Sequence, residues 1–266
     1  MQDNTKPTWL FITAGLTAGS LRDAGNRVAQ QSVALFPFAK TVVITGDNLK
    51  EICPKTYRTY SKFLDETIKG YGYYAWKAEA VSNALEGKMG ACNGVVWVDG
   101  GCEINANLLS KRIFNLILKL ARRHGGWFYE LETPERDYTK RDLIDLFKEA
   151  VDSRPSTQVQ ANFFVLQGEA GRILARKWMD LTLERVENVD FSMSSDGEAE
   201  NFIEHRNDQS LFSILVKDMK FPISRFVPTS RPNSLIGFGK SFISPVWIAR
   251  NRSGKSILPR RGKQIG

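Results

Sequence analysis

Histidine and cysteine are scarce in this chain, and the scarcity excludes several chemistries. His124 and His205 are the only histidines, and no HExxH run occurs, so a histidine-held zinc hydrolase centre lacks ligands. Cys53, Cys92 and Cys102 are odd in number and form no CxxC pair. That argues against a disulfide framework or a thiolate zinc site and favours a reducing compartment. No GxSxG elbow, Walker A loop or GxGxxG run follows a strand-like segment, and Ala14-Gly15 with Gly19 is too loose for a dinucleotide fingerprint. No apolar run reaches about 18 residues, the length of a membrane-spanning helix. The N-terminus lacks the basic-then-apolar layout of a signal peptide, because Trp9-Leu10-Phe11-Ile12 has only strand length. The expectation is a cytoplasmic protein.

Acids are missing from one end. From residue 225 onward nine basic residues (Arg225, Arg231, Lys240, Arg250, Arg252, Lys255, Arg260, Arg261, Lys263) meet no Asp or Glu, while the whole chain carries +8. The remainder is therefore close to neutral, and an anionic partner would be met at this end. A sugar-nucleotide diphosphate, an anionic membrane surface and nucleic acid all fit. A solvated tail is the plain alternative for residues 253–266. The 266 residues suit one large domain with an appendage, divided here as residues 1–224 and a basic segment 225–266 that is partly packed and flexible at its end.

What is present alternates. Strands are expected at 9–13, 40–45, 95–98 and 158–166. Helices are expected at 21–35 with Ser20 as N-cap, 57–68, 76–85, 108–124, 139–152 opened by a Thr139/Asp142 capping box, 169–187 and 208–219. Residues 70–74 and 190–200 read as loops. Strands alternating with helices predict an α/β sheet of largely parallel strands. The most informative stretch is Gly94-Val95-Val96-Trp97-Val98-Asp99-Gly100-Gly101-Cys102-Glu103, a short apolar run that ends in an acid, two glycines and a second acid. Carboxylates at the carboxyl end of a central strand sit where open α/β sheets bind ligands, and glycines let a phosphate or metal approach the backbone. Such a set suits a diphosphate, bridged or not by a hard divalent cation.

Three segments, Gly70-Tyr-Gly-Tyr-Tyr-Ala-Trp-Lys77, Val96-Trp-Val-Asp-Gly-Gly-Cys-Glu-Ile-Asn105 and Glu204-His-Arg-Asn-Asp-Gln-Ser210, resemble in order a group of bacterial and viral sugar transferases, over roughly residues 8–220. The resemblance implies a GT-A-like (Rossmann-like) fold: a mixed, mostly parallel sheet flanked by helices, in one domain with the basic C-terminal extension. It implies a glycosyltransferase that moves a sugar from a nucleotide-diphospho-sugar to a glycan acceptor such as a polysaccharide or lipopolysaccharide. By the resemblance, Asp99 is the first acid of a DxD-like motif and Glu103 the second acid of the same turn, both toward a divalent metal (Mn2+ or Mg2+). Gly100 and Gly101 lie beside the donor, and Lys77 faces the nucleotide or its phosphates. Thr13, Ala14 and Gly15 line the nucleoside pocket with Arg27 nearby, and Asp208 and Gln209 sit across the cleft near the transferred sugar or the acceptor hydroxyl. The chain departs from the pattern at Gly101, which takes the second acid position of a strict DxD, at Ala78 in place of a proline, and at Asn207 where a second His is common.

Each candidate has a plainer role. Asp208 could cap a helix, His205 could be a surface hydrogen-bonding residue, Lys77 could be solvated, and Trp76, Tyr71, Tyr73 and Tyr74 could be core. Cys102 reads as a buried small residue rather than a nucleophile. Two other functions stay open. One is a nucleic-acid-directed protein, such as a transferase acting on DNA bases, with Phe226, Phe238, Phe242 and Trp247 interleaved among the tail cations. The other is a non-catalytic sugar-nucleotide-binding protein. A peripheral location at the inner face of a membrane would suit glycan assembly.

Overall fold

The computed structural model describes residues 8–153, 157–225 and 243–256. The strands are β1 (Trp9–Ala14), β2 (Ala39–Ile44), β3 (Gly94–Val98), β4 (Glu103–Ile104), β5 (Gly126–Pro134), β6 (Thr157–Val159), β7 (Phe163–Gln167), β8 (Ile223–Ser224) and β9 (Val246–Trp247). The helices are α1 (Ser20–Leu35), α2 (Leu49–Ile52), α3 (Pro54–Tyr60), α4 (Gly70–Tyr73), α5 (Ala75–Leu85), α6 (Leu108–His124), α7 (Arg141–Leu146), α8 (Lys148–Asp152), α9 (Gly168–Glu184) and α10 (Asp208–Asp218).

The main sheet runs in the order β2-β1-β3-β7-β5-β6, with β8 on β5. β1, β2, β3, β5 and β8 point one way, while β6 and β7 oppose them. The chain is thus an α/β domain on a mixed, mostly parallel sheet with helices on both faces. One core, under α5, α9 and α10, is built on Trp97, Phe164, Trp178 and Phe212. The other, under α1 and α6, is built on Trp9, Phe11, Phe36, Phe114 and Tyr129. β3 and β7 are buried on both sides, hence their unbroken apolar sequences. β4 and β9 form a small separate ribbon that lays residues 243–256 against the domain. Residues 226–242 and 257–266, with most of the expected basic extension, lie outside the described residues.

Several expectations are corrected. The strand expected at 158–166 is two strands, because the chain breaks at Gln160–Asn162 to donate Gln160 N–H to Tyr129 O and to present other carbonyls elsewhere. β5, nine residues long, follows the helix end at Gly125, where only a connection is expected. The helix expected at 57–68 starts earlier, at Pro54, and ends at Tyr60; buried Glu79 accepts the Lys55 and Thr56 N–H groups at its start. The Thr139/Asp142 capping box does not form. Thr139 donates instead to buried Glu135, Ser194 Oγ meets Asp142 N–H, and the helix divides at Phe147. Ser20 is the first helical residue of α1 rather than its N-cap, which is Gly19 at φ 69°.

Candidate functional site

β1 is flanked by β2 on one side and β3 on the other, so the chain reverses direction across the sheet at the carboxyl ends of β1 and β3. A crevice at such a reversal is where open α/β sheets take their ligands. Ile12 pairs with Trp97 in parallel register, which carries Ala14 level with Asp99. The candidate site is at this edge.

Three of the sequence candidates meet there. Lys77, in the first turn of α5, is 2% exposed, and its Nζ lies 3.1 Å from Asp99 Oδ1 and 3.1 Å from Asp208 Oδ2. It also donates to Ala161 O at 2.7 Å and lies 4.9 Å from the centre of the Trp97 ring. The break between β6 and β7 supplies that carbonyl, and Asn162 O accepts the Asp99 N–H at 2.9 Å. Trp97 Nε1 donates to Asp99 Oδ1 at 2.6 Å, leaving a side chain that is 36% exposed. Asp208 Oδ2, buried at the start of α10, lies within ion-pair range of Lys77. Burial is the first cause that pushes the Asp208 carboxyl up, to about 6; Lys77 opposes the rise and the Asp99 charge adds to it. Burial works against the Lys77 charge, but the two carboxylates outweigh it and its pKa is raised. Lys77 is therefore not solvated. It ties two carboxylates together.

The segments that deliver these side chains have uncommon backbones. Tyr71, Tyr73 and Tyr74 all have positive φ (56°, 58° and 62°), so the chain coils left-handed just before Lys77. Asn207, just before Asp208, sits at φ 53° and ψ −127°. Such conformations cost free energy and persist where the surroundings enforce them. Trp76 Nε1 holds the first coil by donating to Gly70 O, and Asn207 Nδ2 holds the second by donating to Val189 O at 2.7 Å. Tyr74 is the aromatic of its segment that senses the site: burial, then the charges of Asp208 and Asp99, raise its hydroxyl.

Glu103 does not join Asp99. Its carboxylate is fully buried and meets Arg27 Nε at 3.4 Å, Gln31 Nε2 at 2.6 Å, Asn251 Nδ2 at 2.5 Å and Ser256 Oγ at 2.8 Å. Both oxygens face protein donors that a metal would have to displace. Among the described residues no group of three or more His, Cys, Asp or Glu could hold an ion. The carboxylates at this edge are those of Asp99, which is partly exposed, and Asp208, which is buried, both on Lys77.

Arg27 is likewise absorbed by the fold. Its guanidinium donates to the carbonyls of Gly100 at 2.9 Å, Cys102 at 2.7 Å and Asn251 at 3.1 Å, and to Ser253 O. Gly100 is glycine for packing: a Cβ there would sit 2.4 Å from Ala14 O, whereas one at Gly101 would stay 3.7 Å from its nearest neighbour, the Cα of Arg250. Gly15 is similarly pressed against the backbone of Leu21 and Arg22. Thr13 is buried with its hydroxyl unpartnered, and only Ala14 of that trio is partly exposed. Gln209 donates to Gln158 Oε1 at 2.9 Å, in a polar network around buried Glu135, and not toward Lys77.

His205 is buried rather than superficial. Its Nδ1 faces the Lys140 N–H and its Nε2 lies 3.0 Å from Asn188 O, and burial holds its pKa down at about 3. Cys102 is buried and burial pushes its thiol up, as fits a packed small residue. Trp247 is half-buried opposite Glu103, and Phe226, Phe238 and Phe242 lie outside the described residues. Residues of the basic C-terminal segment lie closer to the site. Asn251 N–H donates to Gly101 O at 2.8 Å, and the Arg252 charge reaches the Tyr74 hydroxyl. Arg250 and Arg252 are exposed beside the Asp99 turn and have no carboxylate partner among the described residues.

No protein-family model matches the chain, and no curated protein matches it. Among solved structures it is similar to mouse xyloside xylosyltransferase 1 in its apo form, at 10% identity and a TM-score of 0.46, over 91% of this chain and 97% of that one. A likeness of that size assigns no residue and no activity.

Proposed function

We propose that the protein is a glycosyltransferase that moves a sugar from a nucleotide-diphospho-sugar onto a glycan acceptor. The observation that carries this reading is the meeting of Asp99, Lys77 and Asp208, from three distant segments, at the reversal point of the sheet. Sugar transfer needs a group to take the acceptor proton, a polar hold on the sugar, and positive charge for the departing diphosphate. Asp208, with a carboxyl near pH 6, suits the proton acceptor in the inverting form of the reaction. Asp99 offers its exposed oxygen to a sugar or ribose hydroxyl, while Lys77 fixes both carboxylates in place. Arg250 and Arg252 supply the charge that the leaving diphosphate requires, a role for which buried Lys77 and Arg27 are not free.

Thermal shift tests the reading. Wild type, Asp99→Asn and Arg250→Ala/Arg252→Ala would be titrated with UDP, GDP, CDP and dTDP, with and without manganese. One nucleotide should stabilise wild type without metal, by about 3 kcal/mol at a hundredfold excess over Kd. The arginine variant should lose most of that gain. If none of the four moves the melting temperature, with or without metal, the reading is wrong. Binding of the sugar nucleotide without any turnover would reduce the protein to a binding module.

A further inference from the structure

Helix α6 carries a surface that the catalytic reading leaves unused. Its seventeen residues, LLSKRIFNLILKLARRH, contain no acid. Ser110, Phe114, Ile117, Leu118 and Ala121 are buried against the sheet. The opposite face exposes Lys111, Arg112, Lys119, Arg122 and Arg123 together with Leu108 (64%), Leu109 (41%) and Leu116 (51%). None of the five cations has an ion-pair partner among the described residues. Phe114 of this helix packs on Phe36, which in turn packs on Phe38, and Phe38 is 61% exposed.

Helix stability does not account for this face. Arg122 and Arg123, in the last turn, suit the helix dipole, but Lys111 and Arg112 lie in the first turns, where positive charge is unfavourable. Lys119 faces Arg122 and Arg123 three and four residues on, a repulsive spacing. Exposed leucines add nothing to folding. A helix with cations and leucines sharing one exposed face gains from both only where negative charge and hydrocarbon lie together.

We propose that α6 seats the protein on an anionic lipid surface, with the cations at the headgroups and Leu108, Leu109, Leu116 and Phe38 entering the acyl boundary. Nucleic acid would answer the charge but leave the leucines in water, so lipid is the partner that fits both. Because only residues 104–107 separate the Asp99–Glu103 turn from α6, this seating sets the candidate site beside the bilayer. There it would meet an acceptor carried on a lipid.

Co-sedimentation of the full chain with phosphatidylcholine vesicles, with or without phosphatidylglycerol, tests this. Wild type should bind only the anionic vesicles. Lys111→Glu/Lys119→Glu, which puts one acid in the first turns, where the helix dipole favours it, and the other opposite Arg122 and Arg123, and so keeps the fold, should bind at least about 25-fold more weakly. Leu109→Ser/Leu116→Ser should lose the binding that survives high salt. Neither variant should alter the nucleotide-induced thermal shift, so this test stands apart from the catalytic one. Failure of wild type to bind anionic vesicles would overturn the proposal, as would equal binding by both variants. Duplex DNA that displaces the vesicles and binds the leucine variant as tightly as wild type would also overturn it, in favour of a nucleic-acid surface.

Discussion

Asp208 illustrates how one buried charge shapes the behaviour of a site. Its carboxyl sits at about 6 when folded, chiefly because of burial, against about 3.9 in an unfolded chain. The folded state therefore holds the proton more tightly. The stability this contributes is complete below about pH 4 and is lost as the pH rises through about 6. Asp208→Asn, which keeps the shape without the charge, should gain on wild type by about 3 kcal/mol between about pH 4 and pH 8 in urea titrations. Activity should move the opposite way. Wild-type kcat/KM should rise through about pH 6 as the base ionises, and the Asn variant should stay about 100-fold or more below it at every pH. A flat pH profile in wild type would remove Asp208 as the base. The sequence marks Asp208, Lys77 and Asp99 as separate candidates with plain alternatives. Their mutual distances, which decide among those alternatives, depend on side chains that are 22 residues apart in one pair and more than 100 in the pairs with Asp208.

At the level of elements, α10 ends in a complete Schellman motif: Phe221 N–H donates to Val216 O and Lys220 N–H to Lys217 O. The residue in the left-handed position is Lys220, at φ 57°, where glycine is the usual occupant. It is exposed, so its side chain contributes little packing. Lys220→Gly should raise stability by about 0.5–1 kcal/mol, read as a higher melting temperature with unchanged nucleotide binding. A fall in stability would mean that the lysine side chain holds the cap by a contact that outweighs its backbone strain. Helices were more legible than strands for a physical reason. α6 and α9 keep a 3.6-residue apolar stripe, whereas the break at Gln160–Asn162 has no local signature. It exists because Ala161 O is needed by Lys77 and Asn162 O by the Asp99 backbone.

Across the whole molecule, the C-terminal segment is tied to the ligand edge of the sheet by a buried cluster. Glu103, Arg27, Gln31, Asn251 and Ser256 bring together β4, α1 and residues 251–256. The arrangement holds Arg250 and Arg252 beside Asp99, so the acid expected at a metal serves instead as an anchor. Glu103→Ala would leave Arg27 buried without its counter-charge and should cost about 3–5 kcal/mol. Trypsin should then cut after Arg250 and Arg252 well before it cuts elsewhere. Unchanged stability together with unchanged proteolysis would show that the segment is held by other contacts.

The sequence by itself determined the α/β alternation, the central strand that ends at Asp99, the absence of a spanning helix, and the three segments that hold the candidate residues. These are local properties, written in the period and punctuation of neighbouring residues. Only the tertiary structure decided which acids face the crevice and which face the protein. Asp99 and Glu103 are four positions apart in one turn, yet one meets Lys77 and Trp97 and the other meets Arg27 and Asn251. A carboxylate's role follows from the charges and donors packed around it, and those come from parts of the chain that only folding brings near.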